Sequence, residues 1–381
     1  MKKYKIGLVC PYNMTEYRGG VQEVVMNLYR GLNDRGWDVT IITPKPRKFE
    51  GEVPDGMVML GTSTKLNTPF DTMVDVGHSA GVEAEEYFEK NNFDLLNFHE
   101  PLVPMWSRQL LQCSTGIKVG TFHANPPDTT MAKTLKSMVT PFIRSILKSL
   151  DAVTAVSPAA TEYIGEYWQD PIRIVPNGID LSKFKCPVKT KSKAKSLAPY
   201  IFYVGRLEKR KGVEYLIKSY NLLKEKMPEL RLVIAGDGVK RSNLEDMVID
   251  NDIRDVEFLG FIDDDQKRDL MANAAVFCSP AIYGESFGIV LLEAMAMGAP
   301  MVVGDNPGYR SVMGRDLGQL CVVDPHNTFE FALKLELLIA NAKFRNLMKE
   351  WGTETVQQYE WDKVIDEYEK VFKTLIENKV K

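Results

Sequence analysis

Short apolar runs alternate along this chain with longer segments in which apolar residues recur at helical spacing. Residues 5 to 10 are almost continuously apolar, the pattern of a strand buried on both faces of a parallel sheet. Gly19-Gly20-Val21-Gln22 then opens an amphipathic helix through Leu32, ended by Arg35-Gly36, and Val39-Thr40-Ile41-Ile42-Thr43 reads as the next strand. The rhythm continues with strands at 93–98, 119–122, 151–157 and 172–175. A second series follows at 200–204, 230–235, 258–262, 276–280, 300–304 and 322–323. Residues 328–350 are helical in pattern, and the tail repeats Val364, Tyr368, Val371, Phe372 and Leu375. Such alternation predicts an α/β chain built on parallel sheets. Residues 66–92 are less regular and strongly acidic, with Asp71, Asp75, Glu83, Glu85, Glu86 and Glu89.

At 381 residues the chain exceeds the usual single-domain length. The two series predict two Rossmann-like domains, 1–180 and 200–359. Between them, residues 181–199 hold six lysines and no acid, the composition of a solvated basic linker. Residues 131–150 carry Lys133, Lys136, Arg144 and Lys148 among periodic apolar positions. They read either as a surface helix facing the core or as a basic amphipathic element on anionic lipid.

Composition narrows the function classes. Forty-eight basic against fifty-one acidic side chains give a net charge of -3, which argues against a general nucleic-acid binder. Cys10, Cys113, Cys186, Cys278 and Cys321 are scattered with no Cys-x-x-Cys pair, so they read as reduced thiols and not as a metal site. No apolar run approaches the length of a membrane span and none at the start reads as a signal segment. The expectation is a cytoplasmic protein, with peripheral contact at the inner face of the cell membrane left open.

Candidate chemistry concentrates at strand ends. Tyr283 to Gly298 places Glu285 in a glycine-bounded loop and Glu293 eight residues later, inside an apolar run. Ser286 is expected to cap that helix and Gly298 to close it, with Glu293 about two turns inside. A buried carboxylate needs a partner: sugar hydroxyls would serve, and so would a core arginine. Eight helical residues span roughly 12 Å, comparable to the separation of the two sugars of a nucleotide-sugar. Gly205-Arg206-Leu207-Glu208-Lys209-Arg210-Lys211-Gly212 follows a strand, so Arg206 and Lys211 are placed to converge on one anion. Lys209 and Arg210 fit a solvated charge cluster better. Gly19-Gly20 forms a helix mouth suited to an anion. His99-Glu100-Pro101 and His123, two of only four histidines in the chain, lie at strand ends where α/β sheets present ligand groups. Asp263-Asp264-Asp265 reads as the acidic start of a helix, not as a metal site.

These segments, in this order over nearly the full length, resemble retaining glycosyltransferases of family GT4. Gly284-Glu285-Ser286-Phe287-Gly288-Ile289-Val290-Leu291 with Glu293-Ala294-Met295-Ala296 looks much like phosphatidylinositol mannosyltransferases, and Pro176-Asn177-Gly178-Ile179-Asp180 looks like the end of the family's first domain. The resemblance implies a GT-B fold, with two Rossmann-like domains facing across a cleft and a last helix, about 360–381, crossing back onto the first. It implies donor contact by Gly19, Gly20, Arg206, Lys211, Glu285, Ser286, Phe287, Gly288, Ile289 and Glu293, with the base bordered by 258–262. His123 would touch the transferred sugar and join Arg206, Lys211 and Glu285 in catalysis, while His99 and Glu100 would lie on the acceptor side. The implied donor is GDP-mannose or a UDP-sugar, with no obligatory metal and Mg2+ at most an accessory. The implied acceptor is lipid-linked, an inositol lipid or a small polyol, although the family's basic lipid-binding helix is replaced at 66–92 by acidic sequence. Two other readings remain: a UDP-sugar transferase acting on a soluble or cell-envelope acceptor, and a nonhydrolysing nucleotide-sugar epimerase. A NAD-dependent oxidoreductase would need a tight Gly-x-Gly-x-x-Gly after the first strand, which residues 11–20 lack.

Overall fold

A computed structural model describes residues 4–15, 19–67, 73–103, 105–124, 140–184 and 198–380. The chain divides into two compact units: Met1–Gly178 with Trp361–Lys381, and Ile179–Glu360.

The strands of the first unit are β1 (Lys5–Val9), β2 (Asp38–Lys45), β3 (Met57–Asn67), β4 (Met73–Ser79), β5 (Leu95–His99), β6 (Ile117–Phe122), β7 (Ala152–Ala155) and β8 (Arg173–Ile174), of which β3 and β4 were not among the expected runs. Their order in the sheet is β4-β3-β2-β1-β5-β6-β7-β8, parallel throughout except for the antiparallel pair β3–β4. Residues 66–92 are more regular than their sequence implies: they include the end of β3, β4 and a helix, Gly81–Lys90, which buries Ala84 and Phe88. Helix Gly20–Asp34 buries Val24, Val25, Leu28 and Leu32 against the sheet. The terminal helix Trp361–Val380 adds Trp361, Val364, Ile365, Tyr368, Phe372 and Ile376 to the same core. Gly31 makes that packing close, since a Cβ there would stand 2.0 Å from Ile365 Cδ1. Of residues 131–150, the described part from 140 onward turns Ile143, Ile146 and Leu147 into the core, as an ordinary surface helix does; Lys133 and Lys136 lie outside the described residues.

In the second unit β9 (Tyr200–Val204), β10 (Arg231–Ala235), β11 (Val256–Gly260), β12 (Val276–Ser279), β13 (Met301–Gly304) and β14 (Val322–Val323) form one parallel sheet, ordered β11-β10-β9-β12-β13-β14. This is the doubly wound order, with its reversal between β9 and β12. In the first sheet the reversal falls between β1 and β5. Ligands of open α/β sheets bind beyond the carboxyl ends of the strands at such reversals. The loops after β1, β5, β9 and β12 carry Gly19-Gly20, His99-Glu100, Arg206 to Lys211, and Glu285.

Two helices occupy the 328–350 region, Thr328–Ala340 and Ala342–Thr355, because Asn341 ends one and its side chain accepts the Phe344 N–H to start the next. Most of the lysine-rich 181–199 stretch lies outside the described residues; Leu181–Phe184 forms a 3-10 turn with Leu181 buried. Cys10, Cys278 and Cys321 are buried free thiols, and burial pushes Cys10 and Cys321 up to about 12.

Candidate active site

The loop after β12 is shaped by close backbone packing. Gly308 lies under it, where a Cβ would stand 2.1 Å from the Glu285 carbonyl oxygen, and a Cβ on Gly288 would meet the Tyr309 ring at 2.7 Å. Tyr309 is itself fixed by a 2.8 Å hydrogen bond between its hydroxyl and Ser279 Oγ. The helix Ile289–Ala296 that follows is capped at its start by Gly288 at φ 101, with no side-chain cap. Ser286 therefore does not cap it: the left-handed turn at Gly288 places the start of the helix two residues later. At the other end Gly298 (φ 63) and Ala299 close it, Gly298 donating to the Met295 carbonyl and Ala299 to that of Ala294.

Glu285 stands at this loop with both its cation contacts on Oε1. Arg210 Nη1 donates to it at 2.6 Å and Lys211 Nζ at 2.7 Å. Arg210 is buried, not solvated as its place in a charge run suggests, and its Nε donates to Glu208 Oε2 at 2.8 Å. Glu208 Oε1 in turn meets Arg206 Nη1 at 2.9 Å. The 3-10 turn Lys209–Lys211 produces this arrangement by sending Arg210 inward while Lys209 stays exposed. Burial alone pushes the Glu285 carboxyl up, but Lys211 and Arg210 outweigh it and hold the group below the usual carboxylate range. Arg210 is likewise held charged by Glu285 and Glu208 against the cost of burial. Three cations and two carboxylates leave the cluster with one positive charge, and Arg206 keeps 44% of its side chain exposed. A cluster of net positive charge with an exposed guanidinium is suited to an anion.

Glu293 lies one turn into its helix and is half-buried, not two turns deep, because the helix starts at Ile289. Lys267 donates to it at 2.8 Å, a lysine in the role sequence reasoning gave to sugar hydroxyls or a core arginine. Phe287 is buried edge-on against Tyr359 with ring centroids 5.7 Å apart, so its ring serves packing. Asp263 caps helix Asp264–Asn273 by accepting the Gln266 N–H, while Asp264 and Asp265 pair with Lys267 and Arg268. Phe261, just beyond β11, is 84% exposed.

In the first unit the sheet register brings the two histidines together. His99 is level with Thr121, and Thr121 with Thr154. His99 Nδ1 lies 2.8 Å from His123 Nε2, and His99 Nε2 lies 3.2 Å from Asn97 Nδ2. Thr121 Oγ1 donates to Asn97 Oδ1 at 2.7 Å and lies 2.7 Å from Thr154 Oγ1. Glu100, in left-handed backbone at φ 49, accepts the N–H groups of His123 (2.6 Å) and Ala124 (2.7 Å) on Oε1. Burial pushes Glu100 up to about 7 despite those bonds, and it lowers both imidazoles, His123 to about 3. Gly19 starts helix Gly20–Asp34, with its N–H donating to Gln22 Oε1 at 2.6 Å.

The structure thus links Arg206, Lys211 and Glu285 through Glu208 and Arg210, and separately joins His99, Glu100 and His123. Sequence reasoning missed Glu208, Arg210, Asn97, Thr121 and Thr154. The last three had a readable signal, since each is a polar residue in the middle of an apolar strand run. For Arg210 only the fold of its turn distinguishes it from Lys209.

Comparison with known proteins follows the same division of the chain. The family described as Glycosyltransferase Family 4 matches residues 18–183, and Glycosyl transferases group 1 matches 188–355. A phosphatidyl-myo-inositol mannosyltransferase of Mycolicibacterium smegmatis is 29% identical, over 97% of this chain and 94% of that protein. O-antigen chain mannosyltransferase C of Escherichia coli is 24% identical over 95% and 96% of the two chains. Among solved structures, sucrose-phosphate synthase of Thermosynechococcus elongatus matches with a TM-score of 0.76 at 21% identity, covering 99% of this chain and all of that one. Anabaena HepE in complex with UDP and glucose matches at 0.72 and 16% identity, over 97% of this chain and all of its own. With its two parallel-sheet units of GT-B type, the chain belongs to glycosyltransferase family 4 and is a glycosyltransferase.

Proposed function

We propose that the protein transfers a hexose with retention from a nucleotide-diphosphate sugar, mannose from GDP-mannose being the best-supported donor, to a lipid-linked or inositol-lipid acceptor. Mannose and the inositol-lipid acceptor rest on the names of the relatives. The observation that carries the chemistry is Glu285, ionised and held by Arg210 and Lys211 beyond the reversal between β9 and β12. In this reading Glu285 and the loop through Ser286, Phe287, Gly288 and Ile289 receive the hexose, while Glu293 and Lys267 receive the ribose. Arg206 and Lys211 offset the charge that builds on the departing diphosphate, assisted by the Gly19-Gly20 helix mouth. Electrostatic stabilisation is then the main source of rate, with an oxocarbenium-like transition state and front-face attack guided by the leaving phosphate. His123 contacts the transferred sugar, and His99 and Glu100 face the acceptor. In this reading the reaction needs no obligatory metal. On this reading the protein works in the cytoplasm, at the inner face of the cell membrane.

One observation favours a second acceptor class. Helix Gly81–Lys90 exposes Glu83, Glu85, Glu86 and Glu89, which repel an anionic lipid surface and suit a UDP-sugar transferase with a soluble or cell-envelope acceptor.

The test is turnover of GDP-mannose and UDP-sugars against inositol-lipid, polyprenyl-phosphate and soluble acceptors, with an acceptor-free arm that reads epimerisation. Arg206→Ala and Lys211→Ala are each expected to lower kcat by about 10²–10³, and excess EDTA to leave the wild-type rate unchanged. Rates within a few-fold of wild type for both variants would refute the diphosphate role.

A further inference from the structure

We propose that Thr154, Thr121, Asn97 and His99 form a directional hydrogen-bond chain that holds His123 in the neutral tautomer with its proton on Nδ1. His123 then meets a ligand oxygen as a donor, and not as a base. That last step rests on the placement of His123 at the transferred sugar; the tautomer itself does not.

The direction follows from the buried end of the chain. Thr154 is fully buried, and its hydroxyl has one hydrogen-bond partner among the described residues, Thr121 Oγ1 at 2.7 Å. A buried hydroxyl proton with no acceptor is costly, so Thr154 donates to Thr121. Thr121 then donates to Asn97 Oδ1 at 2.7 Å, which turns the Asn97 amide nitrogen toward His99 Nε2. His99 is fully buried, and a neutral imidazole has one donor and one acceptor nitrogen. With Nε2 accepting from Asn97, His99 carries its proton on Nδ1 and donates it to His123 Nε2 at 2.8 Å. His123 Nε2 is thereby an acceptor, and its proton resides on Nδ1. Inverting every bond leaves Thr154 with an unmatched buried proton. Burial holds both imidazoles neutral at physiological pH, which keeps the chain intact. Three adjacent parallel strands, β5, β6 and β7, supply its members, so the direction is set by sheet register.

The consequence is chemical. A neutral imidazole fixed as a donor stabilises a sugar or phosphate oxygen that gains negative charge, but it has no lone pair to offer an acceptor hydroxyl. Asn97, Thr121 and Thr154 are therefore positioning residues for His123.

The experiment is long-range 1H–15N correlation of the imidazole nitrogens in the uniformly 15N-labelled full-length chain. With four histidines, His78→Gln and His326→Gln identify the remaining two. Both His99 and His123 are expected in the Nδ1–H form at neutral pH. Asn97→Asp replaces the amide donor with an acceptor, so both rings are expected to switch to Nε2–H and kcat to fall by about 10²-fold. Thr154→Val is expected to allow both tautomers and Thr154→Ser to restore one. Wild-type His123 in the Nε2–H form, or an Asn97→Asp protein with unchanged tautomers, overturns the chain. A switch in tautomer with unchanged kcat supports the chain and overturns the placement of His123 at the sugar. Thermal unfolding of each variant separates these outcomes from misfolding.

Discussion

At the scale of single residues, partner choice matters more than residue type. Arg210 is buried with one carboxylate on each side, so removing it leaves Glu208 with only the exposed Arg206 and Glu285 with only Lys211. Arg210→Ala is expected to cost about 3–5 kcal/mol, read as a lowered urea midpoint of the unit that contains it. Arg210→Lys should recover only part of this, because an ammonium cannot span both carboxylates as a guanidinium does. The histidine cluster adds a pH dependence of definite sign. His99 and His123 titrate near 6.5 when unfolded and lower when folded, so their stability contribution is present above pH 6.5 and lost on acidification. Glu100 has the opposite sign: its folded value near 7 exceeds the unfolded 4.5, so its contribution is present below pH 4.5 and lost as pH rises through 7. Between pH 4.5 and 6.5 two protons taken up by the unfolded histidines oppose one held by the folded glutamate. Together the three groups make stability rise with pH by up to about 1.4 kcal/mol per unit. Glu100→Gln should roughly double that slope in urea titrations at pH 5 and 6; an unchanged slope would show that Glu100 is not protonated in the folded protein.

At the scale of elements, the two sheet reversals gather the candidate residues, and glycine contacts set the loops that carry them. The strand runs were legible in sequence because a strand buried on both faces is continuously apolar. Gly298 was legible as a helix end for the conformational freedom it offers. The start of the same helix was not, since Ser286 has the chemistry of a cap and loses the position to the left-handed turn at Gly288. The irregular look of 66–92 had a similar cause: an edge strand paired antiparallel and a helix with one buried face carry little apolar signal. Gly308→Ala tests the loop directly. Its Cβ would meet the Glu285 carbonyl, so the loop must shift, and a displacement of about 1 Å is expected to lower kcat/KM by about 10²-fold. Unfolding measurements should show the second unit still folded; wild-type kinetics would mean the loop position is not critical.

At the scale of the whole molecule, the chain leaves its first unit at Gly178 and returns at Trp361, so the first unit depends on the last twenty-one residues. Six buried side chains of that terminal helix at about 1.5–3 kcal/mol each are comparable with the whole stability of a typical domain. Arg35 pairs with Asp366 at 2.8 Å, and the Trp37 indole donates to Glu369 at 2.9 Å. Deleting Trp361–Lys381 is therefore expected to abolish the cooperative unfolding of the first unit while leaving that of the second. Two surviving transitions in calorimetry would refute that dependence. No helix among the described residues is long and apolar enough to cross a membrane.

The sequence alone determined what is local: the strand–helix rhythm, the glycine turns, the two series of strands and the motif wording that identifies the family. Those features depend on residues within a few turns of one another. Tertiary structure decided which charges and rings meet. Glu285 is 74 and 75 residues from its two cations, Glu293 is 26 from Lys267, and His99 is 24 from His123. Electrostatic and hydrogen-bond energies depend on ångströms in space and on burial, and neither quantity exists for a pair of residues until the sheets bring them into register.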